Sequence, residues 1–182
     1  MCRYVAGVFQ ETEECTGVND TVINDLAGRL GKLLLDHKLF LVTAESCTGG
    51  GLAEIITRIP GSSNWFERGF VTYSNSAKQE LLGVSSGILD QLGAVSKETA
   101  IAMAEGALAN SHAQISVAIT GIAGPDGGSE DKPVGTVCFA WLREGSDPVV
   151  TQTVFRGDRA QIRQQACLMA IQGLLDIIES GK

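Results

Sequence analysis

Leu39-Phe40-Leu41-Val42-Thr43 runs directly into Ala44-Glu45-Ser46-Cys47-Thr48-Gly49-Gly50-Gly51, and Leu52, Ile55 and Ile56 follow at helical spacing. The first five residues make a short apolar run of the kind that forms a buried strand. The glycines impose a tight turn, and the spacing beyond them belongs to a helix. A strand feeding a helix through a glycine turn is the repeating step of an α/β fold, and the rest of the chain can be tested against it.

Upstream, Asp20 can cap a helix that places Val22, Ile23, Leu26, Ala27, Leu30, Leu33 and Leu34 on one face, with His37 in its last turn. Downstream, Phe70 to Tyr73 reads as a second strand, followed by a helix holding Ala77, Lys78, Leu81 and Leu82. Ser96 caps an Ala-rich helix to about Asn110, and Gln114 to Thr120 is a third strand. That strand opens into a second glycine loop, Gly121-Ile122-Ala123-Gly124-Pro125-Asp126-Gly127-Gly128. Val134 to Leu142 and Val149 to Phe155 resemble an antiparallel pair, and Asp158 starts a last helix through Ile162, Ala166, Met169, Ile171 and Leu175. The expected fold is a single-domain three-layer α/β/α sandwich over residues 20–182 with a mixed, mostly parallel sheet. Residues 1–19 are polar and without period, and read as a poorly structured extension.

Composition narrows the function. A chain of 182 residues with 44% hydrophobic side chains is large enough to bury a core without disulfides or a structural metal. The formal net charge of −7 argues against a nucleic-acid groove, which needs clustered cations to replace phosphate counterions. No apolar run approaches the roughly 18 residues that would span a bilayer, and the start lacks the features of a secretory signal, so a cytoplasmic protein with no membrane partner is expected. The five cysteines stand singly and the two histidines are isolated, so neither a metal nor a cofactor is expected, and a catalytic base has to come from another residue type.

Loops leaving the carboxyl ends of strands form the binding crevice of such sheets, so Ser46 and Thr120 are expected to face one cleft. The first loop offers the hydroxyls of Ser46 and Thr48, and backbone N–H groups from Gly49 and Gly50 at a helix start, a set suited to an anion or a developing oxyanion. It is neither a P-loop nor GxGxxG nor GxSxG. Taken alone, Ser46 or Thr48 could equally cap the helix. Tyr73 and Lys78 follow another strand end and could both reach the cleft, although Lys78 could also be an ordinary solvated residue. A lysine serves as base for a serine only if its pKa falls from about 10.4 toward 7, which costs roughly 4 kcal/mol and requires burial or a nearby cation. Arg159 and Arg163, four apart near a helix start, could hold a phosphate or could pair with Asp158 or Asp176. Cys47 reads as a small buried residue rather than a second nucleophile.

Read jointly, AESCTGG at 44–50, GSSNWFERGFVTYSNSAKQELLGV at 61–84, GAVS at 93–96, TGIAGPDGGSEDKPVGTV at 120–137 and GDR at 157–159 resemble the CinA C-terminal domain family, in order and from about Leu30 to the end. The resemblance is nearest to the stand-alone members that hydrolyse nicotinamide mononucleotide to nicotinate mononucleotide and ammonia. Larger members carry an additional N-terminal domain for which 182 residues leave no room. The resemblance implies a nucleophilic or substrate-activating hydroxyl at Ser46, with Thr48, Gly49 and Gly50 beside it, and a catalytic pair at Tyr73 and Lys78. It also implies a pocket lined by Asn75, Thr120, Gly121 and Ala123. The expected partner is therefore a small nucleotide. A homo-oligomer is expected from size alone. A pyridine-nucleotide-binding or competence-related regulator without turnover is the alternative.

Overall fold

The computed structural model describes residues 20–181 together with the backbone of a short antiparallel pair, β1 (Tyr4–Val5) and β2 (Val8–Phe9). The reading of 1–19 as a loose extension otherwise lies outside the described residues. Helix α1 (Asp20–His37) leads into β3 (Leu41–Glu45), α2 (Gly51–Thr57), a single 3-10 turn at Ser62–Asn64 and β4 (Phe66–Val71). Then come α3 (Asn75–Leu82), α4 (Ser86–Leu92), α5 (Lys97–Ala109), β5 (Ile115–Gly121), β6 (Thr136–Arg143), β7 (Val149–Val154) and α6 (Arg159–Ser180).

The five long strands lie in the order β4-β3-β5-β6-β7, with β3 parallel to both β4 and β5, and β6 antiparallel to both β5 and β7. The expected antiparallel pair is there, and β6 is the strand that reverses the sheet. Helices cover both faces, which makes the sandwich three layers deep. Strand alternation sorts the side chains: Ile115, Val117, Ile119, Val137, Phe139 and Trp141 join α1, α2 and α6 in a bulky core. Val42, Ala44, Ala118 and Ala140 face α3, α4 and α5 across a core of small residues. The small residues let α5 lie close. Ser116 Oγ donates to the Ala104 carbonyl at 3.0 Å. A Cβ on Gly106 would stand 1.9 Å from the Leu82 carbonyl oxygen at the end of α3, so only glycine fits there.

Two expected boundaries move. The strand expected over Phe70–Tyr73 is β4, which begins four residues earlier and ends before Tyr73. It is the sheet edge, where Glu67 and Arg68 are tolerated on the open side and break the apolar alternation. The first strand is displaced toward the glycines and includes Glu45, a charged residue that is fully buried. Two capping expectations hold: Ser96 accepts from Thr99 N, and Asp158 forms a capping box with Gln161, whereas Asp20 is the first residue of α1 rather than its cap.

Candidate active site

Glu45 is the last residue of β3, and Ser46 leaves the strand with its amide still bonded to the Ile119 carbonyl of β5 at 2.9 Å. This places Ser46 at the carboxyl end of the two central strands, as expected for the crevice of an open α/β sheet. The hydroxyl does not cap α2. The N-cap is Gly50, at φ +88°, with no side-chain cap, and the Ser46 side chain turns toward α3. There, Lys78 Nζ lies 2.9 Å from Ser46 Oγ and donates to the Thr72 carbonyl at 2.7 Å.

Lys78 is 0% exposed, which removes the reading of a solvated helix residue. Among the described residues no carboxylate forms an ion pair with it. Burial in a site without a counter-ion disfavours the ammonium and holds its pKa below the ordinary lysine range, opposed by a small effect of the Cys47 thiol. The Thr72 carbonyl takes one amine N–H, which fixes the nitrogen beside the serine hydroxyl. A neutral amine in that place can take the hydroxyl proton.

The turn after Ser46 is braced from within. Gly49 N donates to the Ser46 carbonyl, and Gly51 N donates to the Thr48 carbonyl. Leu52 N and Ala53 N donate to the two oxygens of Glu45 at 3.0 and 2.9 Å. Among the described residues no acceptor meets the amides of Thr48 and Gly50, which leaves these two unengaged, whereas the Cys47 amide bonds its own thiol. The expectation of a Gly49–Gly50 pair is thus corrected at Gly49, whose amide closes the turn. The Thr48 hydroxyl is buried and has no partner among the described residues. Cys47 is buried, and desolvation pushes its thiol up to about 12, so it is not a second nucleophile at neutral pH.

The other expected residues fall into two groups. Tyr73 and Asn75 sit at the exposed rim, Tyr73 being 62% exposed, and Ser74 rather than Asn75 caps α3. Arg159 is also exposed, and it donates to the Gly124 carbonyl at 2.8 Å and to the Tyr73 hydroxyl at 3.0 Å, linking the second glycine loop to this rim. Arg163 instead reaches beneath the first loop and donates to the Thr48 carbonyl at 2.7 Å. Neither arginine forms an ion pair with Asp158 or Asp176, and Asp158 caps its own helix. Thr120 lies on the neighbouring strand end, but its hydroxyl donates to the Ala94 carbonyl at 2.6 Å. Gly121 permits close approach of β6, since a Cβ there would stand 2.7 Å from the Thr136 carbonyl oxygen, and Ala123 is buried in the bulky core. Glu45, missed by sequence reasoning, braces the turn. Its only signal was a charged residue at the end of an otherwise apolar strand.

Comparison with known proteins gives the family. Residues 23–178 match the CinA C-terminal domain family. The nicotinamide-nucleotide amidohydrolase PncC of Pseudomonas putida is 52% identical over 155 residues, covering 85% of this chain and 96% of that protein. The PncC of Escherichia coli (strain K12) is 48% identical over 157 residues, 86% of this chain and 95% of the relative. Among solved structures, a competence/damage inducible protein from Agrobacterium tumefaciens superposes with a TM-score of 0.85 at 42% identity, over 88% of this chain and 96% of that one. With the Ser46–Lys78 contact at the carboxyl end of its sheet, the chain belongs to the CinA C-terminal domain family.

Proposed function

We propose that this protein is an amidohydrolase that converts nicotinamide mononucleotide to nicotinate mononucleotide and ammonia, with Ser46 as nucleophile and Lys78 as its base. The observation that carries the mechanism is the 2.9 Å contact between the serine hydroxyl and a wholly buried amine that pairs with no carboxylate among the described residues. The substrate comes from the relatives named for that activity, which match this chain over most of their length.

Ser46 Oγ attacks the carboxamide carbon while its proton passes to Lys78 Nζ. The amides of Thr48 and Gly50 would receive the charge that develops on the carbonyl oxygen, and one such donor contributes about 3 to 4 kcal/mol. Lys78 returns the proton to the amide nitrogen, the C–N bond breaks, and ammonia leaves. Water then cleaves the Ser46 ester by the same route in reverse, releasing the carboxylate and restoring the hydroxyl. Tyr73, Asn75 and the unengaged donors of Arg159 would receive the nucleotide at the rim, Arg159 toward its phosphate. Arg163, Thr120, Gly121 and Ala123 support the loops.

Ammonia release from the mononucleotide, the riboside and free nicotinamide, each with and without EDTA, tests the reading. The mononucleotide is expected to react fastest and EDTA to leave its rate unchanged. No ammonia from any of the three would make the protein a binder rather than a hydrolase. Parental rates in both Ser46→Ala and Lys78→Met would end the serine–lysine mechanism.

A further inference from the structure

Glu45 is the one fully buried carboxylate among the described residues, and it immediately precedes Ser46. No lysine or arginine forms an ion pair with it among those residues; its two oxygens are met by the amides of Leu52 and Ala53 in the first turn of α2. The carboxylate answers two amides that an apolar side chain would leave without an acceptor, so it stabilises the turn. Its connections give it a further role.

The side chain closes residues 45–53 into a ring that contains the nucleophile and the unengaged amides of Thr48 and Gly50. The Glu45 carbonyl accepts from Thr72 N at 2.8 Å, and the Thr72 carbonyl accepts from Lys78 Nζ. Backbone and side chain of one residue thus brace both the serine turn and the lysine. By occupying the Leu52 and Ala53 amides, the carboxylate also leaves the oxyanion to the Thr48 and Gly50 amides.

We infer that Glu45 is a positioning residue for the reaction, a two-point clamp that holds the Ser46 hydroxyl in register with Lys78 and with the amides of its own turn. This rests on the reading of Ser46 and Lys78 as nucleophile and base. Each oxygen serves a different amide, so a glutamine would set its own N–H against one of the two donors. An aspartate keeps the charge but is one methylene short of reaching both.

The test compares Glu45→Gln and Glu45→Asp with the parent, well below each melting midpoint, by two readouts. In steady-state ammonia release from nicotinamide mononucleotide, both variants are expected to lose at least about tenfold in kcat with KM within about twofold, the split that follows when an interaction needed only in the transition state is lost. In labelling of Ser46 by a fluorophosphonate, which needs no nucleotide, the rate is expected to fall by a similar factor. Parental kcat and labelling in either folded variant overturn the clamp. If Glu45→Gln does not fold, Glu45→Asp decides by the same readouts. Labelling that depends on Glu45 in a protein releasing no ammonia would uphold the clamp and refute the substrate. A parent neither turned over nor labelled would refute both.

Discussion

Consecutive residues of one strand end reach opposite faces of the sheet, and each meets a different kind of buried charge. On the α2 face, Glu45 has both oxygens answered by peptide N–H groups. On the α3 face, Ser46 meets Lys78, an amine answered by one carbonyl and one hydroxyl. The first arrangement satisfies an anion where it stands. The second accommodates an amine best when it carries no proton, which turns a buried cationic residue into a base. The fold uses burial on one side to brace and on the other to activate.

The largest effect that would break this contrast is on turnover. Lys78→Met is expected to lower kcat/KM by roughly 10³-fold, within the range seen for a general base, and Lys78→Arg should not rescue it because guanidinium keeps its proton. Next comes stability in urea. Glu45→Ala leaves the buried Leu52 amide and the part-buried Ala53 amide unanswered and should cost about 3 kcal/mol, whereas Lys78→Met removes a buried amine that no carboxylate pairs with among the described residues and should leave stability unchanged or raised. Third, Gly106→Ala presses α5 against the end of the helix that carries Lys78 and should cost about 2 kcal/mol of overpacking, with a fall in kcat that distant core substitutions of equal cost do not share. The smallest effect is on pH dependence. Because the folded-state pKa of Lys78 is lowered, the folded protein binds fewer protons than the unfolded chain between that value and about 10.4, so this group adds stability as pH rises through that window. Lys78→Met should lack that rise when urea midpoints are compared across it.

Much of this was legible in sequence because the relevant signals are local. The glycine turns, the apolar runs and the caps at Ser96 and Asp158 depend on neighbours a few residues away, and they specified the layers and the crevice. What stayed hidden depends on distant partners. Glu45 looked like any charged residue at a strand end, because the amides that satisfy it belong to the next helix. Glu67 and Arg68 on the open edge of β4 mimic a loop, so the apolar pattern alone places the start of this strand four residues late. Nothing near Arg163 in sequence distinguishes it from a phosphate ligand, because the Thr48 carbonyl that it meets lies 115 residues away. Lys78 itself carried no mark of burial within its helix; only its recurrence in a longer motif pointed to the site.

The thiol beside the nucleophile has a practical consequence. With the Cys47 pKa near 12, almost none of it is thiolate under ordinary conditions, so iodoacetamide or maleimide should spare the centre even though a cysteine adjoins Ser46. Inhibitors for this protein are better built on electrophiles that seek hydroxyl oxygen, such as boronic acids, than on sulfur-seeking warheads.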